Sequence, residues 1–272
     1  GTALRNLIVR GEGGDLSFRI KVTPLGKYYL GVVDNAYETE IAREMYSAQD
    51  IQQRLLPPAH ASGGTHYSFM YIPCREIGGD LPDVYEAAGE TMGFLADVSG
   101  KGISAGMLSA FVKAGWDRGE PSPAKALTAL NAKFQELNLD ETNYVTAIAV
   151  RVDRSRSEIR YSVAGHNAPM LLKSAIGIDE IEMNAPPISN WMPGYRYEDR
   201  VIGYRKGDIL ALVTDGVTES RNEAGEQFSV ERVEAILQRS ENAERFIERL
   251  KAALIEFCSA FDDDLTAVAF DL

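Results

Sequence analysis

The stretch of residues 77–107 constrains the fold most, because it places one aspartate between a buried strand and a glycine-rich turn. Asp97 follows the apolar run at 92–96, which is typical of a strand inside a sheet. The turn after it, at 98–102, reads VSGKG, and its glycines allow a carbonyl and a water to approach a cation closely. A carboxylate in this position is either a helix cap or a ligand of a hard metal ion.

Three further aspartates stand where an apolar strand meets a glycine turn or a loop. Asp80 follows two glycines, Asp215 stands between Thr214 and a glycine, and Asp263 lies in the acidic run 262–264. Because each flanks a strand that should be buried, we expect these side chains to converge with Asp97 at one end of the domain. Clustered carboxylates repel one another and are costly to desolvate, so the cluster favours a neutralising cation.

Oxygen-only ligands indicate Mg²⁺ or Mn²⁺ and disfavour zinc or copper. Two such ions, ~3.5–4 Å apart, can activate a water for in-line attack on a phosphoryl group. Each aspartate taken alone has an ordinary explanation, since aspartate before glycine is most often a turn residue and the run 262–264 could be a solvated loop. The four together favour the metal site.

The chain before residue 65 has its own organisation. Residues 16–33 alternate apolar and polar side chains around a Pro-Leu-Gly turn, which predicts two antiparallel strands. Residues 36–56 then predict an amphipathic helix that ends at Pro57 and Pro58. This helix could dimerise as a signalling linker or pack on its own domain. Its apolar stripe consists of Ile41, Met45, Ala48, Ile51 and Leu55.

From about residue 65 the pattern predicts many strands, with helices grouped in pairs. We expect helices at about 102–116, from 121 onward, at 229–237 and at 243–257. The strands predicted between and around them include 144–152, 158–165, 207–213 and a closing strand at 265–272. Antiparallel strands with paired helices indicate an α+β layered sandwich and not a parallel βαβ sheet.

Composition excludes several classes of function. The formal net charge of −12 argues against nucleic-acid binding and against docking on an anionic membrane. No apolar stretch is long enough to span a bilayer, and there is no signal peptide. Cys74 and Cys258 provide neither zinc-ligand spacing nor a disulfide framework, so a cytoplasmic location is expected. For an enzyme acting on phosphate, this acidity would require divalent cations as screening charges.

Six segments, in order, resemble the bacterial metal-dependent serine/threonine phosphatases of the PPM superfamily, in the stress-response and sporulation branch related to type 2C phosphatases. They are IGGDLPDVYE, ADVSGKGISAGMLSA, TNYVTAIAVRVD, YSVAGHNAPMLL, ALVTDGVTESRN and DDDLTAVAF. The resemblance spans about residues 49–272. It implies a four-layer α-β-β-α sandwich of two antiparallel sheets flanked by helices, a site for two Mn²⁺ or Mg²⁺ ions, and hydrolysis of phosphoserine or phosphothreonine.

The same resemblance implies a role for each site residue. Asp97 would bridge both metals, and the Val98 carbonyl would help to hold the first. Asp215 and Asp263 would hold the second metal, while Asp80 would order a metal-bound water or bind a metal directly.

The sequence departs from the family pattern beside Asp80. Leu81 and Pro82 replace two aromatic residues that many relatives carry, so we expect altered local packing and not lost catalysis. Asp264 stands where relatives often have Asn or Asp, and its role is less defined. The branch lacks the phosphate-anchoring arginine of eukaryotic relatives; Arg75 is a candidate, although a surface arginine is the simpler interpretation.

These observations define the expected organisation. Residues 1–35 resemble the closing strands of a PAS-like sensor domain, residues 36–58 form the linker helix, and residues 65–272 form the phosphatase domain. The substrate implied by the resemblance is a small phosphorylated anti-anti-sigma protein in a partner-switching pathway. The segment 36–56 could form a homodimer. The alternative function is a non-catalytic phosphoprotein-binding or scaffold module with the same fold.

Four other features of the sequence have a functional and a structural interpretation. His166 could act as a general acid, but its place between two strands favours a structural turn residue. Ser99 with Lys101 offers a nucleophile without an oxyanion or base partner. The GGD at 78–80 begins the diguanylate cyclase signature, but the next two residues do not continue it. The proline-rich loop 184–197, with Trp191, could contact substrate, although loop packing is the simpler explanation.

Overall fold

The computed structural model describes residues 3–11, 14–25, 28–58, 64–181 and 184–272, with side chains described from residue 43 onward. The chain divides into two compact units, Gly1–Ile51 and Gln52–Leu272. The first unit contains an antiparallel sheet in the order β1-β2-β3 and most of helix α1. These elements are β1 Ala3–Gly11, β2 Gly14–Leu25, β3 Tyr28–Asn35 and α1 Ala36–Gln53. The two predicted strands and the helix are present, whereas the PAS-like identity of this segment stays a prediction.

The second unit contains two five-stranded antiparallel sheets. The first sheet has the order β10-β9-β12-β13-β4, and its strands are β4 Tyr67–Ile72, β9 Met170–Ser174, β10 Gly177–Ile181, β12 Ile209–Val213 and β13 Leu265–Asp271. The second has the order β11-β8-β7-β6-β5, with β5 Leu81–Ala87, β6 Glu90–Val98, β7 Val145–Asp153, β8 Glu158–Ala164 and β11 Arg200–Gly203. The helices are α2 Ile103–Gly115, α3 Pro123–Glu136, α4 Asp215–Glu219, α5 Val230–Gln238 and α6 Ala243–Phe257.

Alternating side chains place each sheet between a helix pair and the other sheet. In β12, Leu210 and Leu212 join the core between the sheets, whereas Ile209, Ala211 and Val213 pack in the core that includes α5 and α6. The second sheet packs its opposite face against α2 and α3. Successive side chains of a strand point to opposite faces, so a strand buried on both sides is apolar throughout. The predicted α-β-β-α sandwich is confirmed.

The sheets approach each other closely at one glycine. A Cβ on Gly93 would lie 2.5 Å from the Phe270 ring and 2.8 Å from a methyl of Val150. A larger side chain there would force the two sheets apart locally, which explains a glycine inside an otherwise apolar strand.

Side-chain caps mark the starts of α3 and α6. The Ser122 hydroxyl accepts from the Lys125 amide at 3.1 Å, and the Asn242 side chain accepts from the Arg245 amide at 2.8 Å. The edge strands β10 and β11 and the short α4 were not predicted, because each is short and the two strands are largely exposed. Among the helices of the described ranges, none combines the length and apolar composition needed to cross a bilayer.

Candidate metal centre

A cavity of about 310 Å³ lies at one end of the sandwich, and its walls carry Asp97, Asp215 and Asp263. Asp97 is the penultimate residue of β6, Asp215 begins α4 directly after β12, and Asp263 precedes β13. Asp80 precedes β5 and interacts electrostatically with Asp97. Each sheet therefore contributes two of the four aspartates, and the structure brings together the residues that the sequence singled out.

Asp80 connects the two sheets through hydroxyl groups. Its Oδ2 atom accepts from the Thr214 hydroxyl at 3.0 Å and from the Thr266 hydroxyl at 2.5 Å. Burial, followed by the charges of Asp97 and Asp264, raises the pKa of Asp80 well above its usual range, while the two threonine hydrogen bonds oppose that shift. Sequence reasoning missed these threonines, although Thr214 is adjacent to Asp215 and Thr266 stands three residues after Asp263.

Burial and the neighbouring carboxylates disfavour the ionised form of Asp97. Burial raises its pKa from 3.8 to about 7, with Asp215 and Asp263 as the next largest causes. In the described part of the chain, one ion pair counters these charges: the Lys101 ammonium lies 3.2 Å from Asp263. Lys101 also donates to the Asp262 carbonyl. The cavity therefore carries more carboxylates than protein cations can neutralise.

The residues fit hard divalent cations. Carboxylates from three chain segments surround the cavity, and Val98 lies among its walls. A Cβ on Gly79 would lie 2.8 Å from the Val98 carbonyl oxygen, so glycine is needed to leave that oxygen uncovered on this side. Oxygen donors of this kind are the ligands that Mg²⁺ and Mn²⁺ prefer.

Asp264 shapes the site without forming part of the cavity wall. Its carboxylate accepts from the backbone amides of Cys74 at 2.8 Å, Gly79 at 2.6 Å and Asp80 at 3.3 Å. It thereby fixes the loop that carries Asp80. A ligand atom from each of Cys74, Asp263 and Asp264 lies within 4.8 Å of the others. Burial, followed by the charge of Asp264, raises the pKa of the Cys74 thiol to about 11, and Cys74 lies outside the cavity walls.

Gln52 clamps the same loop. Its side chain donates to the Gly78 carbonyl at 2.6 Å and accepts from the Gly78 amide at 3.1 Å. The Tyr71 hydroxyl donates to the same glutamine oxygen at 3.1 Å. This contact could not be predicted from the sequence, because a polar amide is expected on the exposed face of an amphipathic helix.

Three candidates from the sequence have other surroundings. The His166 ring lies with Nε2 2.8 Å from the Val213 carbonyl, and burial lowers its pKa, so the neutral ring donates a structural hydrogen bond. The Ser99 hydroxyl donates to the Thr142 carbonyl and accepts from the Tyr144 amide, so it is engaged with backbone. Arg75 is exposed and lies near Gly102, outside the cavity walls.

Further polar groups line the cavity, and among them sequence reasoning selected neither Arg221 nor Asn167. Arg221 and Lys101 are its basic residues within the described ranges. The Asn167 amide donates to Asp215 at 3.4 Å.

Comparison with known proteins places this arrangement in a family. The family model described as stage II sporulation protein E matches residues 87–272, which is more than half of the chain. The chain is 26% identical to phosphoserine phosphatase RsbU of Bacillus subtilis (strain 168) over 193 residues, covering 69% of this chain and 57% of RsbU. It is 27% identical to phosphoserine phosphatase RsbP of the same organism over 191 residues, covering 67% of this chain and 47% of RsbP. The chain thus spans about half the length of these relatives.

Solved structures support the fold. The SiaA-PP2C domain of Pseudomonas aeruginosa superimposes with a TM-score of 0.76 at 21% identity, covering 87% of this chain and 99% of that domain. RsbX in complex with magnesium gives a TM-score of 0.60 at 17% identity, covering 79% and 98% of the two chains. The family match and the shared fold confirm the resemblance to the PPM-type phosphatases of the sporulation and stress-response branch. The chain belongs to the stage II sporulation protein E (SpoIIE) family.

Proposed function

We propose that the chain is a metal-dependent serine/threonine protein phosphatase that removes the phosphoryl group from a phosphorylated regulatory protein. The observation that carries this proposal is the convergence of Asp97, Asp215 and Asp263 on one cavity, with Asp80 buried behind them. Carboxylates arranged in this way can bind divalent cations, which in turn bind and activate a phosphate ester. RsbU and RsbP, which are named phosphoserine phosphatases, support the reaction class.

The assignment of the residues that would hold the ions rests on the resemblance of the sequence motifs to the family. Asp97 would bridge two ions, the Val98 carbonyl would contact the first, and Asp215 and Asp263 would contact the second. Asp80 would bind a metal or orient a bound water. Two Mn²⁺ or Mg²⁺ ions would supply Lewis acidity and the activation of a water nucleophile.

The protein's own groups prepare the cavity for this reaction. Thr214 and Thr266 fix the Asp80 carboxylate and with it the relative position of the two sheets. Lys101 and Arg221 add positive charge to the cavity wall, where a phosphate ester would otherwise meet only carboxylates. The Asn167 amide, 3.4 Å from Asp215, orients that carboxylate.

The proposed substrate is a small phosphorylated anti-anti-sigma protein of a partner-switching pathway in the cytoplasm. Its support is the family branch together with the reaction named for RsbU and RsbP. The segment 36–56 is proposed to form a homodimer, because Tyr46 and Ile51 of helix α1 are 71% and 61% exposed. Light scattering on the chain with and without the residues before Gln49 tests this, and a monomer in both cases would contradict it.

Hydrolysis of p-nitrophenyl phosphate with added Mn²⁺ or Mg²⁺ tests the reaction. We expect metal-dependent product release by the wild type and a loss of about 10²-fold or more in Asp97→Asn and Asp215→Asn. Asp179→Asn, which alters an exposed carboxylate of β10, is the matched control and should retain full activity. A wild type without metal-dependent release, but with retained binding of a phosphoprotein, would favour the non-catalytic scaffold.

A further inference from the structure

Two large apolar side chains are exposed on the loop that follows residue 184. Trp191 is 49% exposed and Met192 is 48% exposed. Single exposed apolar residues need no explanation, but adjacent tryptophan and methionine are enriched where proteins bind other proteins. We call these two side chains, together with Tyr144, the Trp191 surface.

The Trp191 surface is continuous with the catalytic cavity. Tyr144 lines the cavity, and its ring lies 5.3 Å from the Trp191 ring, centroid to centroid. The Trp191 indole N–H donates to the Glu141 carbonyl at 3.0 Å. The apolar Trp191 side chain therefore lies next to the cavity wall, where it can contact a molecule that extends out of the cavity.

The backbone beneath these side chains is fixed by the domain. The Asn190 amide donates to the Leu139 carbonyl at 2.6 Å, and the Gln135 amide donates to the Ser189 carbonyl at 3.1 Å. Val145 and Ile188 exchange two backbone hydrogen bonds of 2.9 Å. These hydrogen bonds hold the loop in a conformation that leaves Trp191 exposed. A side chain that is already held in place loses little conformational entropy when a partner binds to it.

Charge makes an apolar docking surface useful for this chain. The net charge of −12 repels a phosphorylated substrate at long range, and the cavity itself is acidic. Long-range electrostatic attraction between the negatively charged chain and a phosphorylated substrate therefore does not promote binding. Short-range apolar contacts beside the cavity would supply affinity that is independent of charge.

We propose that the Trp191 surface binds an apolar side chain in the segment that flanks the phosphorylated serine or threonine of the substrate protein. This inference rests on the proposed phosphatase function and adds a sequence preference to it. An extended peptide advances roughly 3.3 Å per residue, so the apolar residue would stand about two to five positions from the phosphorylated residue.

A set of phosphoserine peptides tests the inference. Each peptide has a Gly/Ser/Lys background with one leucine moved through the positions on either side of the phosphoserine, and p-nitrophenyl phosphate serves as the substrate that is too small to reach Trp191. For the wild type we expect leucine at one or two positions to raise kcat/KM about tenfold over the leucine-free peptide, the effect of burying one such side chain. Trp191→Ala and Met192→Ala should reduce that preference at least threefold, whereas Ile176→Ala, which alters a 92% exposed side chain of the β9–β10 turn, should retain it.

The outcomes separate this inference from the function beneath it. If the wild type hydrolyses p-nitrophenyl phosphate but shows no positional preference for leucine, or if Trp191→Ala and Met192→Ala both keep that preference, the docking surface is refuted and the phosphatase stands. If the wild type hydrolyses neither kind of substrate in the presence of metal, the phosphatase itself is refuted. Met192→Ala guards against an indirect effect, because the ring contact with Tyr144 in the cavity wall is made by Trp191.

Discussion

The acidic cavity should destabilise the metal-free protein near neutral pH, and Asp97→Asn should remove much of that cost. Burial, Asp215 and Asp263 raise the pKa of Asp97 from 3.8 to about 7. At 1.36 kcal/mol per pKa unit, this difference corresponds to roughly 4 kcal/mol of destabilisation when the carboxylate is ionised. The figure is an upper limit, because Asp80 shares the repulsion and its pKa would fall when the Asp97 charge is removed.

The sign of the pH dependence follows from proton binding. Between about pH 4 and pH 7 the folded chain keeps a proton on Asp97 that the unfolded chain has lost, so the free energy of unfolding falls as the pH rises. Below this window both states are protonated and the penalty vanishes. Asp97→Asn should therefore match the wild type at about pH 4 and be more stable by up to ~4 kcal/mol at about pH 8.

Urea unfolding in EDTA across this pH range measures the difference, with Asp179→Asn as the control for loss of an exposed carboxylate. Added Mn²⁺ should then stabilise the wild type by ~2.7 kcal/mol at a hundred times the dissociation constant, with a much smaller gain in Asp97→Asn. Equal stability of the two proteins at about pH 8 without metal, or parallel pH profiles, would refute the electrostatic reasoning.

Two further substitutions probe the loops and helices around the site. Gln52→Ala leaves both backbone groups of Gly78 without their partner and should cost about 2–3 kcal/mol in urea unfolding, with Gln53→Ala, an exposed neighbour, as the control; similar stability of the two variants would contradict this role. Asp83 is 1% exposed and pairs with the Lys113 ammonium and with the Arg118 guanidinium, each at 2.7 Å, so Asp83→Ala should cost about 3–5 kcal/mol by leaving both cations without their buried partner. The double variant Asp83→Ala/Lys113→Met should recover part of that loss in the same assay, and a single-variant loss below about 1 kcal/mol would show that the pair contributes little.

Sequence patterns predicted the features that depend on residues close together in the chain, such as strand ends and turns. Apolar runs followed by glycine or aspartate located Asp97 and Asp215 at strand ends, because burial and turn formation are local properties. The partners of Asp80 could not be predicted in this way, since Thr214 and Thr266 lie 134 and 186 positions away and are hydroxyl residues without a periodic pattern.

The hydrogen-bond partners of single polar side chains could not be predicted from the neighbouring sequence either. The acidic run 262–264 gave no sign that Asp264 would turn away from the cavity and accept from three backbone amides. Burial of an amide such as Gln52 depends on the tertiary fit of two segments, which neither composition nor spacing encodes. The predictions for the linker dimer and the sensor-like segment stay predictions.

The approach of the two sheets at Gly93 has a consequence for alignment of the site. Asp97 and Asp80 are carried by one sheet, and Asp215 and Asp263 by the other, so the distance between these carboxylates depends on the packing of the two sheets. The contact of Gly93 with Phe270 sets the gap at this interface, well inside the apolar core. The core of this protein thus sets the distance between the four aspartates, and a methyl group added at Gly93 would change that distance without contacting any of them.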